Sequence, residues 1–310
     1  MNPPTTAPDW RLYLRMTRPG FLLITVVACL VGMATAMACA GRLQWGTALA
    51  TVLLAVMAHA AGNVYNDFHD ALNGADLANT QGLFPFSGGS RLIQQGRVSA
   101  RDTQRWAWVL VALLVPAGLL LAVFSGGGLI GLAAAGLLLA WAYSAPPFKL
   151  MSRGLGELTV ACAWWLVIVG ADYVQRRHFF FMPWVVGFSY ALLVANILLI
   201  NGVPDASADA RVGKRTLVVQ LGAPTAAWLY LWLALLAHGG VVLSVWAEVS
   251  PRVTLWALVS LPLSLWAAWR LQMQVRAGLP MDALRSAVVL SIVSTLLHGL
   301  ALTLAMGQLV

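Results

Sequence analysis

Apolar runs of about 20 residues recur from one end of this chain to the other, and that repetition limits its fold more than any single motif does. They lie near 21–39, 46–66, 105–124, 127–145, 155–173, 180–201, 225–247, 253–271 and 285–306. A helix satisfies its backbone hydrogen bonds within one segment, so runs of this length become membrane-spanning helices. The expected fold is all-α, a polytopic membrane protein of about nine transmembrane helices. Pro and Gly inside several runs are compatible with this, since membrane helices tolerate both.

Composition excludes a soluble domain on a single anchor. The chain of 310 residues is 60% hydrophobic and only 10% charged, with a mean hydropathy of +0.79, where a soluble protein carries roughly a quarter charged residues. The deficit is spread along the chain, so one integral membrane domain over 1–310 is expected. The first run ends in Ala36-Met37-Ala38-Cys39, which has the look of a cleavage site. Its charged leader through Arg18 is long, however, and position 36 lacks the Leu of a lipoprotein signal, so an uncleaved first span is expected. Cys29, Cys39 and Cys162 sit in apolar stretches without metal-site spacing and read as small buried residues.

The net charge of +8 does not point to nucleic acid, because the basic residues sit between apolar runs and not in an aromatic-laced patch. With a cytoplasmic N-terminus, one face collects Arg11 to Arg18, Arg91 to Arg105, Lys149, Arg153, Arg211 to Arg215, Arg270, Arg276 and Arg285, while the other keeps Arg42, Arg176, Arg177 and Arg252. This asymmetry predicts an N-in, C-out orientation, in the cell membrane if the source is bacterial. The two longest connections, 67–103 and 202–224, both fall on the positive face, and long loops in a compact domain are commonly functional.

Each of those connections opens on acidic residues. The first reads Asn63-Val-Tyr-Asn66-Asp67-Phe-His69-Asp70 with Asp76 further on; the second reads Asn201-Gly-Val-Pro204-Asp205-Ala-Ser-Ala-Asp209. On continuing helices, Asn63, Asp67 and Asp70 share one face, and Asn201, Asp205 and Asp209 share another. Carboxylates are costly in a membrane and normally face a cavity, a partner or an ion. Hard carboxylate and amide oxygens suit Mg²⁺, which combines one or two carboxylates with water and substrate phosphate oxygens. Facing stripes could therefore hold a diphosphate through metal ions, with helix capping as the alternative role for Asp76.

Basic and small residues follow each stripe: Pro85-Phe86-Ser87-Gly88-Gly89-Ser90-Arg91, then Gly213-Lys214-Arg215-Thr216-Leu217. Glycines admit backbone N–H groups to phosphate oxygens and the cations neutralise charge. A third polar segment, Tyr143-Ser144-Ala-Pro146-Pro147-Phe148-Lys149, places an aromatic ring and another cation at a helix end. The Tyr143 ring could stabilise a carbocation through its π face or belong to the interfacial aromatic belt.

At these residues the sequence resembles the UbiA-type superfamily of membrane aromatic prenyltransferases, and within it the 1,4-dihydroxy-2-naphthoate polyprenyltransferase branch. The likeness runs from Arg18-Pro19 to Leu221-Gly222. The resemblance implies a nine-helix bundle around a central cavity, roofed by the two cytoplasmic loops and open to lipid for an isoprenoid tail. It implies Mg²⁺ as cofactor, bound by Asn66, Asp67, Asp70, Asp76, Asp205 and Asp209, with Arg91, Lys149, Lys214 and Arg215 on the diphosphate and Tyr143, Asn63 and Asn201 as catalytic groups. The expected partners are an isoprenyl diphosphate, an aromatic acceptor and membrane lipid. Within the first motif, Phe68-His69 and Ala71-Leu72-Asn73 depart from the aromatic and basic residues of that branch. Hydroxynaphthoate in menaquinone synthesis is the expected acceptor, with 4-hydroxybenzoate or another quinone or lipid precursor as alternatives. His69 is a candidate for orienting the acceptor or a plain helix-end residue. A rival of a different class, an ion-coupled transporter, would place its acids near the bilayer midplane in inverted repeats, whereas these two motifs share one face.

Overall fold

In a computed structural model, which describes residues 9–80, 82–278 and 280–309, every long apolar run forms a helix. A short amphipathic α1 (Trp10–Met16) leads into α2 (Pro19–Ala40), α3 (Trp45–Asn73) and a single turn, α4 (Ala75–Ala78). Then come α5 (Ala100–Ser125), α6 (Gly128–Ser144), α7 (Gly156–Arg176) and α8 (Phe181–Arg211). The short α9 (Leu217–Leu221) precedes α10 (Ala223–Trp246), a 3-10 stretch (Arg252–Ser260) continued by α11 (Leu261–Ala277), and α12 (Arg285–Gly307). Among the described residues eight helical segments are long and apolar enough to cross a membrane. The expected span at 127–145 is α6, an apolar helix of 17 residues, so the polytopic all-α expectation holds with one short member.

Two boundaries differ from the sequence reading in a way that matters. The connections expected at 67–103 and 202–224 begin later, because α3 runs on to Asn73 and α8 to Arg211. Nothing in Asp67–Asn73 breaks a helix, and α3 stops only where Gly74 takes the left-handed conformation (φ 81°). At 1.5 Å per residue these helices are about 43 and 46 Å long, against a hydrocarbon core of roughly 30 Å. Both are long enough for one end to project beyond the apolar layer.

Packing makes α8 the central element. It shares one core cluster with α10, α11 and α12 (Leu199, Ile200, Tyr230, Leu271, Val288) and a second with α2, α7 and α12 (Ile24, Ile168, Tyr190, Leu302). The Tyr190 hydroxyl donates to the Ile24 carbonyl at 2.7 Å and Asn196 Nδ2 to the Tyr230 carbonyl at 3.0 Å, so these buried donors of α8 are matched. The 3-10 stretch and its junction with α11 are held similarly: Ser294 Oγ donates to the Ser260 carbonyl at 3.0 Å, and Ser260 Oγ lies within hydrogen-bond distance of His238 and His298. Irregular backbone inside a membrane survives where neighbouring helices supply such partners. Outward-facing Leu, Val and Trp, including Trp45, Trp108, Trp232 and Trp246, form the lipid surface.

Close crossings depend on glycine. A Cβ at Gly32 of α2 would run into the Ile168 carbonyl oxygen of α7 and lie 2.9 Å from the Ala171 Cβ, whereas one at Gly131 of α6 would meet nothing within 4 Å. Small residues at interfaces let membrane helices approach. Gly32→Leu should cost about 1–3 kcal/mol by overpacking, read as a lower thermal unfolding midpoint in detergent. Gly131→Leu should leave the midpoint nearly unchanged.

Candidate active site

The ends of α3 and α8 bring their acidic stripes together, and two cations hold them there. Lys214 Nζ donates to both oxygens of Asp70 on α3, at 2.9 and 3.0 Å, and lies 3.6 Å from Asp209 on α8. Arg18, just before α2, pairs with Asp67. Asp70 also accepts from Asn66 and Asn73, both at 3.1 Å. Asp205 accepts from Asn79 Nδ2 at 2.6 Å and from the Gly88 backbone N–H at 3.0 Å.

The Gly88–Arg91 loop closes this assembly. Its Ser90 N–H donates to Asp67 at 3.1 Å while its Gly88 N–H reaches Asp205, so one loop joins both stripes. Gly89 has a left-handed backbone (φ 76°), and a Cβ there would lie 2.8 Å from the Asp76 carboxylate and 3.1 Å from that of Asp67. Only glycine lets the backbone press so close. Arg91 donates to the Asp76 carbonyl and stacks 4.8 Å from the Phe84 ring centre.

Charge is unbalanced here. Five carboxylates (Asp67, Asp70, Asp76, Asp205, Asp209) face two paired cations, Arg18 and Lys214. Burial, reinforced by Asp70 and Asp67, pushes the Asp76 carboxyl up to about 8. Burial alone would lower the Lys214 ammonium, but Asp70 and Asp209 outweigh it and hold it above its ordinary value. Among the described residues no three acidic, His or Cys side chains are grouped closely enough to share one metal ion; side-chain cations take up Asp67 and Asp70. The donor set nonetheless fits a hard divalent cation: oxygen-only, rich in carboxylate and short of positive charge. Asn201 adds a buried Oδ1 with no hydrogen-bond partner among the described residues.

Beneath the acidic cluster lies a chamber of about 540 Å³. Arg18, Asn63, Asn66, Tyr143 and Asn201 line its polar end, and Leu114, Leu137, Leu139, Val167 and Ile197 belong to its apolar walls. Asn63 is held by its own donation to the Thr17 carbonyl at 2.9 Å. The wall includes Leu119 and Ile130, each about half exposed (50% and 49%), which puts apolar surface of α5 and α6 at its lipid-facing side.

The expected residues divide into two groups. Asn66, Asp67, Asp70, Asp76, Asp205, Asp209 and Lys214 assemble around the cluster, and Asn63, Tyr143 and Asn201 stand at the chamber end. Lys149 and Arg215 do not join the ion pairs; both are exposed, and their backbone N–H groups bond to the Ala145 and Ser152 carbonyls. His69 turns its ring onto Tyr65 and Phe68, 4.6 and 5.1 Å away, and is not part of the chamber wall. Sequence reasoning missed Arg18 and Asn79 as site residues. Arg18 looked like one more topology charge, although a cation immediately before a Pro that opens the first span was a usable signal.

Comparison with known proteins bears on the same residues. Residues 25–284 match the sequence model of the UbiA prenyltransferase family. The chain is 26% identical over 230 residues to the UbiA prenyltransferase domain-containing protein 1 of Dictyostelium discoideum, covering 72% of this chain and 67% of that protein. It is 31% identical over 212 residues to the 1,4-dihydroxy-2-naphthoate octaprenyltransferase of Mycobacterium tuberculosis, covering 67% of this chain and 68% of that one. In fold it is similar to a UbiA homolog from Archaeoglobus fulgidus solved bound to GPP and Mg²⁺, with a TM-score of 0.63 at 16% identity over 94% of this chain and 99% of that one.

Removing one partner from a buried ion pair typically costs about 3–5 kcal/mol because the other charge is stranded. Lys214→Met should therefore lower the unfolding midpoint markedly in detergent without divalent ions. Arg105→Met, which breaks the exposed pair with Asp102, should have little effect.

Proposed function

The chain belongs to the UbiA prenyltransferase family, and from that premise we propose that it moves an isoprenyl group from a Mg²⁺-bound isoprenyl diphosphate to an aromatic acceptor, 1,4-dihydroxy-2-naphthoate in menaquinone synthesis. The observation that carries this reading is the joining of two acidic stripes at the head of an apolar chamber. Asp67, Asp70, Asp76, Asp205 and Asp209 with Asn66 form the metal-binding set. A divalent cation held by them would supply the positive charge that makes a diphosphate a viable leaving group.

The chain's own residues do the rest. Lys214 and Arg18 neutralise Asp70 and Asp67, and with Arg91, Lys149 and Arg215 at the rim they are the cations that would bind the diphosphate oxygens. As the C–O bond breaks, its electron pair leaves with the diphosphate and positive charge develops on the allylic carbon. Tyr143 lines the chamber beside Asn66, so its ring can face that charge, and Asn63 and Asn201 fix the ligand's polar end. The apolar walls keep water from capturing the cation before the acceptor ring does. The positive-face asymmetry supports an N-in, C-out orientation with this site on the cytoplasmic side. The name of the M. tuberculosis relative supports naphthoate over 4-hydroxybenzoate.

Purified protein in detergent should transfer label from isoprenyl diphosphates to the naphthoate in a Mg²⁺-dependent reaction, with less product from 4-hydroxybenzoate. Asp70→Asn and Asp209→Asn should each lower kcat/KM by about 100-fold or more, the scale of a lost electrostatic contact in a dry site. Absence of both prenylated product and released diphosphate across a panel of aromatic acids would remove the enzymatic reading. Full activity of both variants at limiting Mg²⁺ would remove the metal assignment.

A further inference from the structure

Below its polar end the chamber wall carries an imidazole. His59 of α3 lines it one turn beyond Asn63 and two beyond Asn66, at positions i, i+4 and i+7 of a single helix face. Along the helix axis that is about 6 Å from Asn63 and about 10 Å from Asn66. The His59 ring is held from two sides. Its Nδ1 lies 2.8 Å from Thr25 Oγ1 on α2, and Trp164 of α7 packs edge-on against it, ring centres 4.8 Å apart at 86°. Thr25 and Trp164 also line the chamber.

With the Thr25 hydroxyl as donor to Nδ1, the ring carries its proton on Nε2. Among the described residues the ring's hydrogen bond is at Nδ1, and the ring forms part of a wall that is otherwise mostly Leu, Ile, Val and Ala. An isoprenoid chain offers such a donor nothing, and an unmatched N–H in apolar surroundings is costly. A diphosphate bound at the acidic cluster lies too far along α3 to reach it. Of the two substrates in the proposed reaction, that leaves the oxygenated one.

We infer that His59 is the polar anchor of the acceptor: its Nε2–H donates to a ring oxygen or carboxylate of the aromatic acid and so holds the ring beneath the allylic carbon. Thr25 and Trp164 are positioning residues that fix the tautomer and the ring plane. The assignment rests on the prenyl-transfer reading and deepens it, by placing the acceptor's oxygens on α3 between α2 and α7.

The test uses the full chain in detergent, with the isoprenyl diphosphate and aromatic acid that wild type converts best. His59→Phe should lower kcat/KM for the acceptor by about 10- to 100-fold, the range for a hydrogen bond to a charged group, while KM for the diphosphate stays unchanged. His59→Gln, which keeps an N–H, should recover part of the loss. With acceptor analogues in which single oxygens are methylated or removed, the gap between wild type and His59→Phe should close for the one analogue lacking the oxygen that His59 holds. Should His59→Phe not fold, Thr25→Val frees Nδ1 without altering the ring and carries the same comparison. Unchanged acceptor kinetics, an equal loss for every analogue, or an altered preference for isoprenoid length at constant acceptor KM would overturn the assignment. If wild type prenylates no aromatic acid, both readings fall; if it does and the variants match it, only this one does.

Discussion

Five carboxylates cannot occupy neighbouring sites at a protein–lipid boundary without positive charge between them, and the head of this bundle is organised around that constraint. At separations of a few ångströms the repulsion is worth several kcal/mol even at an effective dielectric near 20. Lys214 reaches across from the connection after α8 to Asp70 on α3, and Arg18 reaches from the start of α2 to Asp67. The Gly88–Ser90 backbone lays N–H groups on Asp205 and Asp67. Without these contacts the ends of α3 and α8 would repel each other. On the proposed reading, the contacts that assemble the polar end of the bundle are the ones a metal-bound diphosphate would replace.

Helix length sets where this chemistry sits. Both acid-bearing helices are longer than the hydrocarbon layer is thick and carry their carboxylates near one end, away from the helix centre, where each would cost roughly 2.5–3.5 kcal/mol. Further along the same helices, His59 Nδ1, Asn196 Nδ2 and Ser189 Oγ each lie within hydrogen-bond distance of a neighbour. The result is a gradient along one axis, from ionic to hydrogen-bonded to purely apolar. An amphiphile with a charged head and a long hydrocarbon tail has the same gradient.

Much of this was legible in the sequence because it depends on periodicity and counting. Run length gave the helices, and spacing at i, i+3 and i+4 put Asp67 with Asp70 and Asp205 with Asp209. Other features depend on tertiary geometry, which spacing does not encode. Lys214 and Arg215 are adjacent basic residues, yet one is buried among carboxylates and the other exposed; only the direction of the turn separates them. Asn79 and Arg18 enter the site from elements without an acidic motif of their own. His59 carried no motif at all, being a lone polar residue on an apolar face. The continuation of α3 and α8 was masked because polar sequence after an apolar run looks like loop when hydropathy alone marks helix ends.

Acids and bases in this site occupy different kinds of backbone. Asp67, Asp70, Asp205 and Asp209 are on the two longest helices, while Arg18, Arg91, Lys149, Lys214 and Arg215 are in connections. Three of these cations, Arg18, Arg91 and Lys149, also hold left-handed backbone at φ 52°, 64° and 45°, a conformation that costs a non-glycine residue of order 1 kcal/mol or more. Arg18 and Arg91 offset that cost with bonds to Asp67 and to the Asp76 carbonyl. Lys149 has its backbone N–H tied to Ala145 and its side chain exposed. A fixed negative template with positive groups on short, strained connections suits a site that must take up a multiply charged anion and then let it go. Helices keep the carboxylate oxygens in register, and the connections carry the positive charges.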